Sequence, residues 1–78
     1  MFTVNFTGKE KSFSSKDIAI RFMDTLDVGS DLWLANTLLR SRVKQPAGTF
    51  EVTVYDYDDG RALARFQEDY DNGYTTEI

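Results

Sequence analysis

The sequence predicts a single α+β domain over residues 1–78, a small antiparallel sheet packed on one or two helices in the order ββα(α)ββ(β). Three observations lead there. Phe2, Val4 and Phe6 alternate with Thr3, Asn5 and Thr7, the period of a half-buried strand. Ile18, Ala19, Phe22, Met23 and Leu26 recur at helical spacing behind a pair of serines. Phe50, Val52 and Val54 then alternate with Glu51, Thr53 and Tyr55, which restores period two.

The first strand turns at Thr7-Gly8-Lys9-Glu10 and returns through Lys11-Ser12-Phe13, an N-terminal hairpin. Ser14 is the expected N-cap of the helix, with Asp17 three residues on as a capping-box partner. Phe13 and Ile18 flank that cap as a hydrophobic staple, and Gly29 marks the C-terminal stop. Residues 30–43 carry two patterns. Leu32, Ala35, Leu38 and Leu39 follow helical spacing, with Arg40, Arg42 and Lys44 late, where a helix dipole favours cations. A strand through Leu32-Trp33-Leu34 is the competing reading, and the helix is preferred.

Gln45-Pro46-Ala47-Gly48 is a loop by its punctuation. Beyond the Phe50–Tyr55 strand, Asp58-Asp59-Gly60 suits a three-residue hairpin loop with Gly in the left-handed region. That loop sets Val54 opposite Ala64 and Val52 opposite Phe66 on one face, with Thr53 opposite Arg65 and Tyr55 opposite Leu63 on the other. A two-residue loop would put Val54 opposite Arg65 and mix core with solvent. Asn72-Gly73 signals one more hairpin, whose Glu68–Glu77 pair would be unfavourable. The expected core is Phe2, Val4, Phe6, Ile18, Phe22, Met23, Leu26, Leu34, Leu38, Phe50, Val52, Val54 and Phe66, with Trp33 at its edge or on an interface.

The residues exclude several function classes. The chain has no histidine and no cysteine. The commonest general acid/base, the commonest metal ligand and the thiolate nucleophile are therefore all missing. Each of the five glycines stands alone, so no phosphate-cradling loop exists. Asp56-Tyr57-Asp58-Asp59-Gly60 looks like the start of a calcium loop, but the fifth position is Gly60 and the twelfth is Gln67, and the pattern fails at both. No catalytic residue, metal ligand or cofactor is assigned. A weak carboxylate-based enzyme remains only as a remote alternative. No apolar run is long enough for a membrane span, and no basic-then-apolar leader opens the chain, so the cytoplasm is the expected compartment.

Charge is the informative feature left. Residues 1–44 carry seven Lys/Arg against five Asp/Glu, a net +2; residues 51–78 carry two against eight, a net −6. Tyrosines are interleaved with those acids. Carboxylates in hairpin turns commonly do no more than shape and solvate the turn. The functional reading is a docking surface for a basic, nucleic-acid-handling protein, made of Asp56, Asp58, Asp59, Glu68, Asp69 and Asp71 with Tyr55, Tyr57 and Tyr70. Its negative charge repels phosphate, so no direct nucleic-acid contact is expected. In its sharpest form the surface imitates a nucleic-acid backbone. Small acidic anti-defence inhibitors carried by bacteriophages and mobile elements, anti-CRISPR proteins among them, are similar in size and charge, and in nothing more specific. A second contact is expected at Trp33, Arg40, Arg42 and Lys44, either as part of a structural subunit or as the basic half of a head-to-tail homodimer.

Overall fold

A computed structural model of the chain describes residues 1–46, 48–69 and 74–77. Among these residues seven strands and one helix follow one another as β1 (Phe2–Phe6), β2 (Lys9–Phe13), α1 (Lys16–Asp24), β3 (Ser30–Leu34), β4 (Thr37–Lys44), β5 (Thr49–Tyr55), β6 (Ala62–Asp69) and β7 (Tyr74–Glu77). The strands form one antiparallel sheet in the order β2-β1-β3-β4-β5-β6-β7. This corrects the expected α+β layering. The protein is a β-rich fold in which a single nine-residue helix lies on the β1, β2 and β3 portion of the sheet.

The largest correction falls on residues 30–43, which form strands β3 and β4 and no second helix. The signal for strand lay in Arg40, Arg42 and Lys44, which recur at period two. Leu32 pairs with Arg40 and Ser30 with Arg42 across the ladder, so each pair shares a face. The two strands are joined at Ala35-Asn36, with Ala35 held at φ 54°. A non-glycine residue there costs roughly 1–2 kcal/mol, and no Gly or Pro flags the turn in the sequence. A bulge between Leu32 and Trp33 leaves Leu39 without an opposite partner. Leu39 joins the buried core, the place expected for Leu38.

That core contains Val4, Ala19, Met23, Leu32 and Leu39, with Phe2, Phe6, Phe13, Ile20, Phe22, Leu26 and Leu34 packed against it. Phe50 and Val52 are buried farther along the same face. Helix α1 begins one residue later than expected. Ser15, not Ser14, is the N-cap, and its hydroxyl accepts from Ile18 N. Ala19, Phe22, Met23 and Leu26 then form the stripe that meets the sheet, which turns Ile18 outward at 53% exposure. The Phe13–Ile18 staple is therefore not formed. Phe22 instead stacks edge-on to Phe6, with ring centroids 5.3 Å apart.

Gly29 does not end the helix, which closes at Thr25. It sits where a Cβ would lie 3.3 Å from Arg42 O, a tight approach to the β4 backbone that favours glycine. Between β5 and β6 the expected pairs Val54↔Ala64, Thr53↔Arg65 and Val52↔Phe66 are present. The turn itself is one residue longer than expected. Asp56 N donates to Arg61 O at 2.7 Å, Gly60 N donates to Asp56 O at 2.9 Å, and Gly60 has φ 71°. Tyr55 pairs with Ala62 in place of Leu63, and a bulge at that step absorbs the extra residue. The longer turn and the bulge cancel, so the buried register survives. Strand β7 pairs with β6 through Glu68↔Thr75 and Phe66↔Glu77, and the Glu68–Glu77 clash does not arise. The Asn72-Gly73 turn lies outside the described residues.

Candidate functional site

Cross-strand pairing sorts every strand residue onto one of two faces. On the helix side lie Phe2, Val4, Leu32, Arg40, Arg42, Phe50, Val52 and Phe66; on the outer side lie Thr3, Asp31, Trp33, Leu38, Ser41, Thr53, Tyr55 and Arg65. Helix α1 covers part of the first face. Among the described residues no element covers the second.

The basic patch goes to the helix side. Arg42 is fully buried. Its Nη1 donates to Met23 O at 2.8 Å and to Leu26 O at 2.5 Å, and its Nη2 donates to Glu68 Oε1 at 2.7 Å. The guanidinium carbon lies 3.7 Å from the centroid of the Phe50 ring. Arg42 thus satisfies carbonyls at the C-terminal end of α1, where the helix dipole is negative, with a planar fork that an ammonium could not replace. Arg40 reaches Asp24 Oδ1 at 3.0 Å, and Lys44 reaches Asp27 Oδ1 at 3.2 Å. The three cations do complement a helix end, but it is the end of α1, reached across the fold. Neither Arg40 nor Arg42 is available as a second contact surface.

The acidic residues are divided in the same way. Glu68 faces the helix side and is spent on Arg42. Asp56 Oδ1 accepts from Asp58 N at 2.7 Å and from Asp59 N at 3.3 Å, so this carboxylate shapes the turn. Asp59 Oδ1 accepts from Arg61 N at 2.9 Å, and its other oxygen lies 3.9 Å from the Arg61 guanidinium. Among the described residues, the Asp58 carboxylate makes no hydrogen bond or ion pair. Asp69 closes the β5–β6 ladder opposite Thr49. Tyr70 and Asp71 lie outside the described residues.

What the fold brings together is a cleft of about 440 Å3 at one end of the outer face. It is lined by Trp33 from β3, Asn36, Thr37 and Leu38 from the β3–β4 turn and β4, and Tyr55, Tyr57, Asp58, Asp59 and Gly60 from β5 and its turn. Trp33 pairs directly with Leu38, and Tyr55 follows on the neighbouring strand. Tyr57 is 53% exposed and Leu63 57% exposed, which leaves large apolar side chains in water beside the turn. Trp33, expected at a separate contact, therefore belongs with Tyr55, Tyr57, Asp58 and Asp59. The sequence missed this union because Trp33 and Tyr57 are brought together only by the order of β3, β4 and β5.

A second cleft of about 390 Å3 opens at the opposite end of the sheet, lined by residues including Asn5, Gly8, Gly29, Asp31, Val43 and Lys44. Burial raises the pKa of Asp31 above its ordinary value of 3.8. Among the described residues no group of three His, Cys, Asp or Glu side chains is placed to hold a metal ion, and no helix is long and apolar enough to cross a membrane. Comparison with known protein families, characterised proteins and solved structures finds no match.

Proposed function

We propose that this protein is a non-enzymatic, cytoplasmic binding module that docks on a basic surface of another protein through the Trp33–Tyr57 cleft and the acidic turn beside it. The observation that carries this reading is the cleft. Three aromatic residues and two carboxylates line one open cavity on a sheet face that no element of the described fold covers. Aromatic side chains at such a position supply large contact area at little cost in rotamer entropy. The turn carries three carboxylates against the single cation Arg61, so it attracts a positively charged partner and repels nucleic acid. A continuous row of acids imitating a nucleic-acid backbone is not favoured, because Glu68 faces the other side of the sheet and is paired with Arg42.

The test is affinity for an arginine- and lysine-rich probe protein, such as a core histone, measured against salt. Binding should weaken as salt rises, and again when Asp58 and Asp59 are changed to Asn. Affinity that is insensitive both to salt and to those substitutions would overturn the reading.

A further inference from the structure

The cleft permits a more specific statement about its occupant. We infer that it takes a single arginine side chain of the partner, seated with its guanidinium among Trp33, Tyr55 and Tyr57 and its charge facing Asp58. This assignment rests on the proposed binding function and narrows it. The cavity holds the chain's one tryptophan and two of its four tyrosines. Arg40, Arg42 and Lys44 all turn to the helix side, so no cation of strand β4 occupies the aromatic end of the outer face. The protein satisfies the planar fork of Arg42 internally with an aromatic ring, main-chain carbonyls and one carboxylate. The outer cleft offers the same classes of group, aromatic and carboxylate, with no arginine of its own lining it.

A guanidinium suits this lining better than an ammonium. It stacks on aromatic faces, is weakly hydrated, and offers hydrogen bonds in the plane of the stack while its faces remain apolar. A cation over an aromatic ring is worth roughly 0.5–2 kcal/mol, about two- to thirty-fold in affinity. Asp58, with its carboxylate unspent, supplies the counter-charge. Asp59 is partly committed to Arg61 and contributes less.

Trp33 makes the assignment measurable, since it is the only tryptophan and it lines the cleft. The full chain is titrated with a short Arg-Gly repeat peptide and with matched peptides carrying citrulline or lysine in place of arginine. Tryptophan emission and calorimetry are read in parallel. The arginine peptide should change Trp33 emission saturably, and the lysine and citrulline peptides should bind at least several-fold and about tenfold more weakly. Tyr57→Ala and Asp58→Asn should each weaken the arginine peptide about five-fold, while urea denaturation shows the fold intact. Equal affinity for the citrulline or lysine peptide overturns the guanidinium assignment. Calorimetric binding that leaves Trp33 emission and the Tyr57→Ala affinity unchanged overturns the cleft as the seat and leaves the binding function standing. If neither the peptides nor the basic probe protein binds, both readings fall.

Discussion

Arg42 donates from Nη1 to the main-chain oxygen of Met23 at 2.8 Å, joining the middle of strand β4 to the end of helix α1 across nineteen residues of sequence. The same side chain holds Leu26 O and Glu68 Oε1 and lies against Phe50. One buried cation thus ties the helix to strands β4, β5 and β6.

Replacing Arg42 by Met should cost about 3 kcal/mol or more, because Glu68 loses its buried ion-pair partner and Leu26 O a donor, while Met23 O is left with its main-chain bond from Leu26 N. Arg42→Lys should recover only part of that loss, since an ammonium's donors diverge from one point and lack the planar fork that spans these acceptors while lying against Phe50. Glu68→Gln should cost less, about 1 kcal/mol. Urea denaturation measures all three, and an Arg42→Met loss below about 1 kcal/mol would contradict the clamp.

The two ends of the helix stripe differ in weight. Met23 is fully buried and Ile18 is exposed. Met23→Ala should destabilise by about 2–5 kcal/mol, whereas Ile18→Gln should stay within about 0.5 kcal/mol of the parent. Similar losses at both positions in thermal unfolding would argue for the staple geometry that the structure does not show.

In the β5–β6 turn, Asp56 and Asp58 look alike in sequence and act differently. Asp56→Ala removes an acceptor for two backbone N–H groups and should cost about 1 kcal/mol. Asp58→Ala should leave stability unchanged within about 0.5 kcal/mol. Equal effects on the urea midpoint would show that the two carboxylates share one role.

Asp31 supplies a pH dependence of defined sign. It pairs with Asn5 and Ser41 on the outer face, and burial raises its folded-state pKa above 3.8. Below 3.8 the carboxyl is protonated in both folded and unfolded chains and carries no penalty. As pH rises from there through the folded pKa, the native state holds the extra proton and stability declines, then levels off. Asp31→Asn should therefore melt higher than the parent at neutral pH, with the gap closing in acid. A gap of the same size at neutral pH and in acid would rule out this origin.

Local chemistry made much of the ladder legible. Alternation in Phe2–Phe6 and in Phe50–Val54 names the strands and their inward faces, and the Val52↔Phe66 and Val54↔Ala64 pairs follow from keeping apolar residues together. Residues 30–43 were not legible in that way. Leu32, Ala35, Leu38 and Leu39 satisfy a helical spacing by coincidence, and the strand turn at Ala35-Asn36 lacks glycine. The inward arginines misled for a related reason. Charge ordinarily marks the wet face, and it takes the α1 carbonyls, Asp24, Glu68 and Phe50 arriving from elsewhere to make burial of Arg40 and Arg42 favourable.

The sequence by itself determined the N-terminal hairpin, the Phe50–Tyr55 strand with its inward face, the presence of the first helix and the acidic character of residues 51–78, because each depends on neighbours a few positions apart. Only the tertiary structure decided which charges remain available. Glu68 went to Arg42 and Asp56 to its own turn, while Asp58 stayed open beside Trp33, Tyr55 and Tyr57. That division depends on strand order and on two bulges, which set faces across twenty or more residues and leave no local trace in the chain.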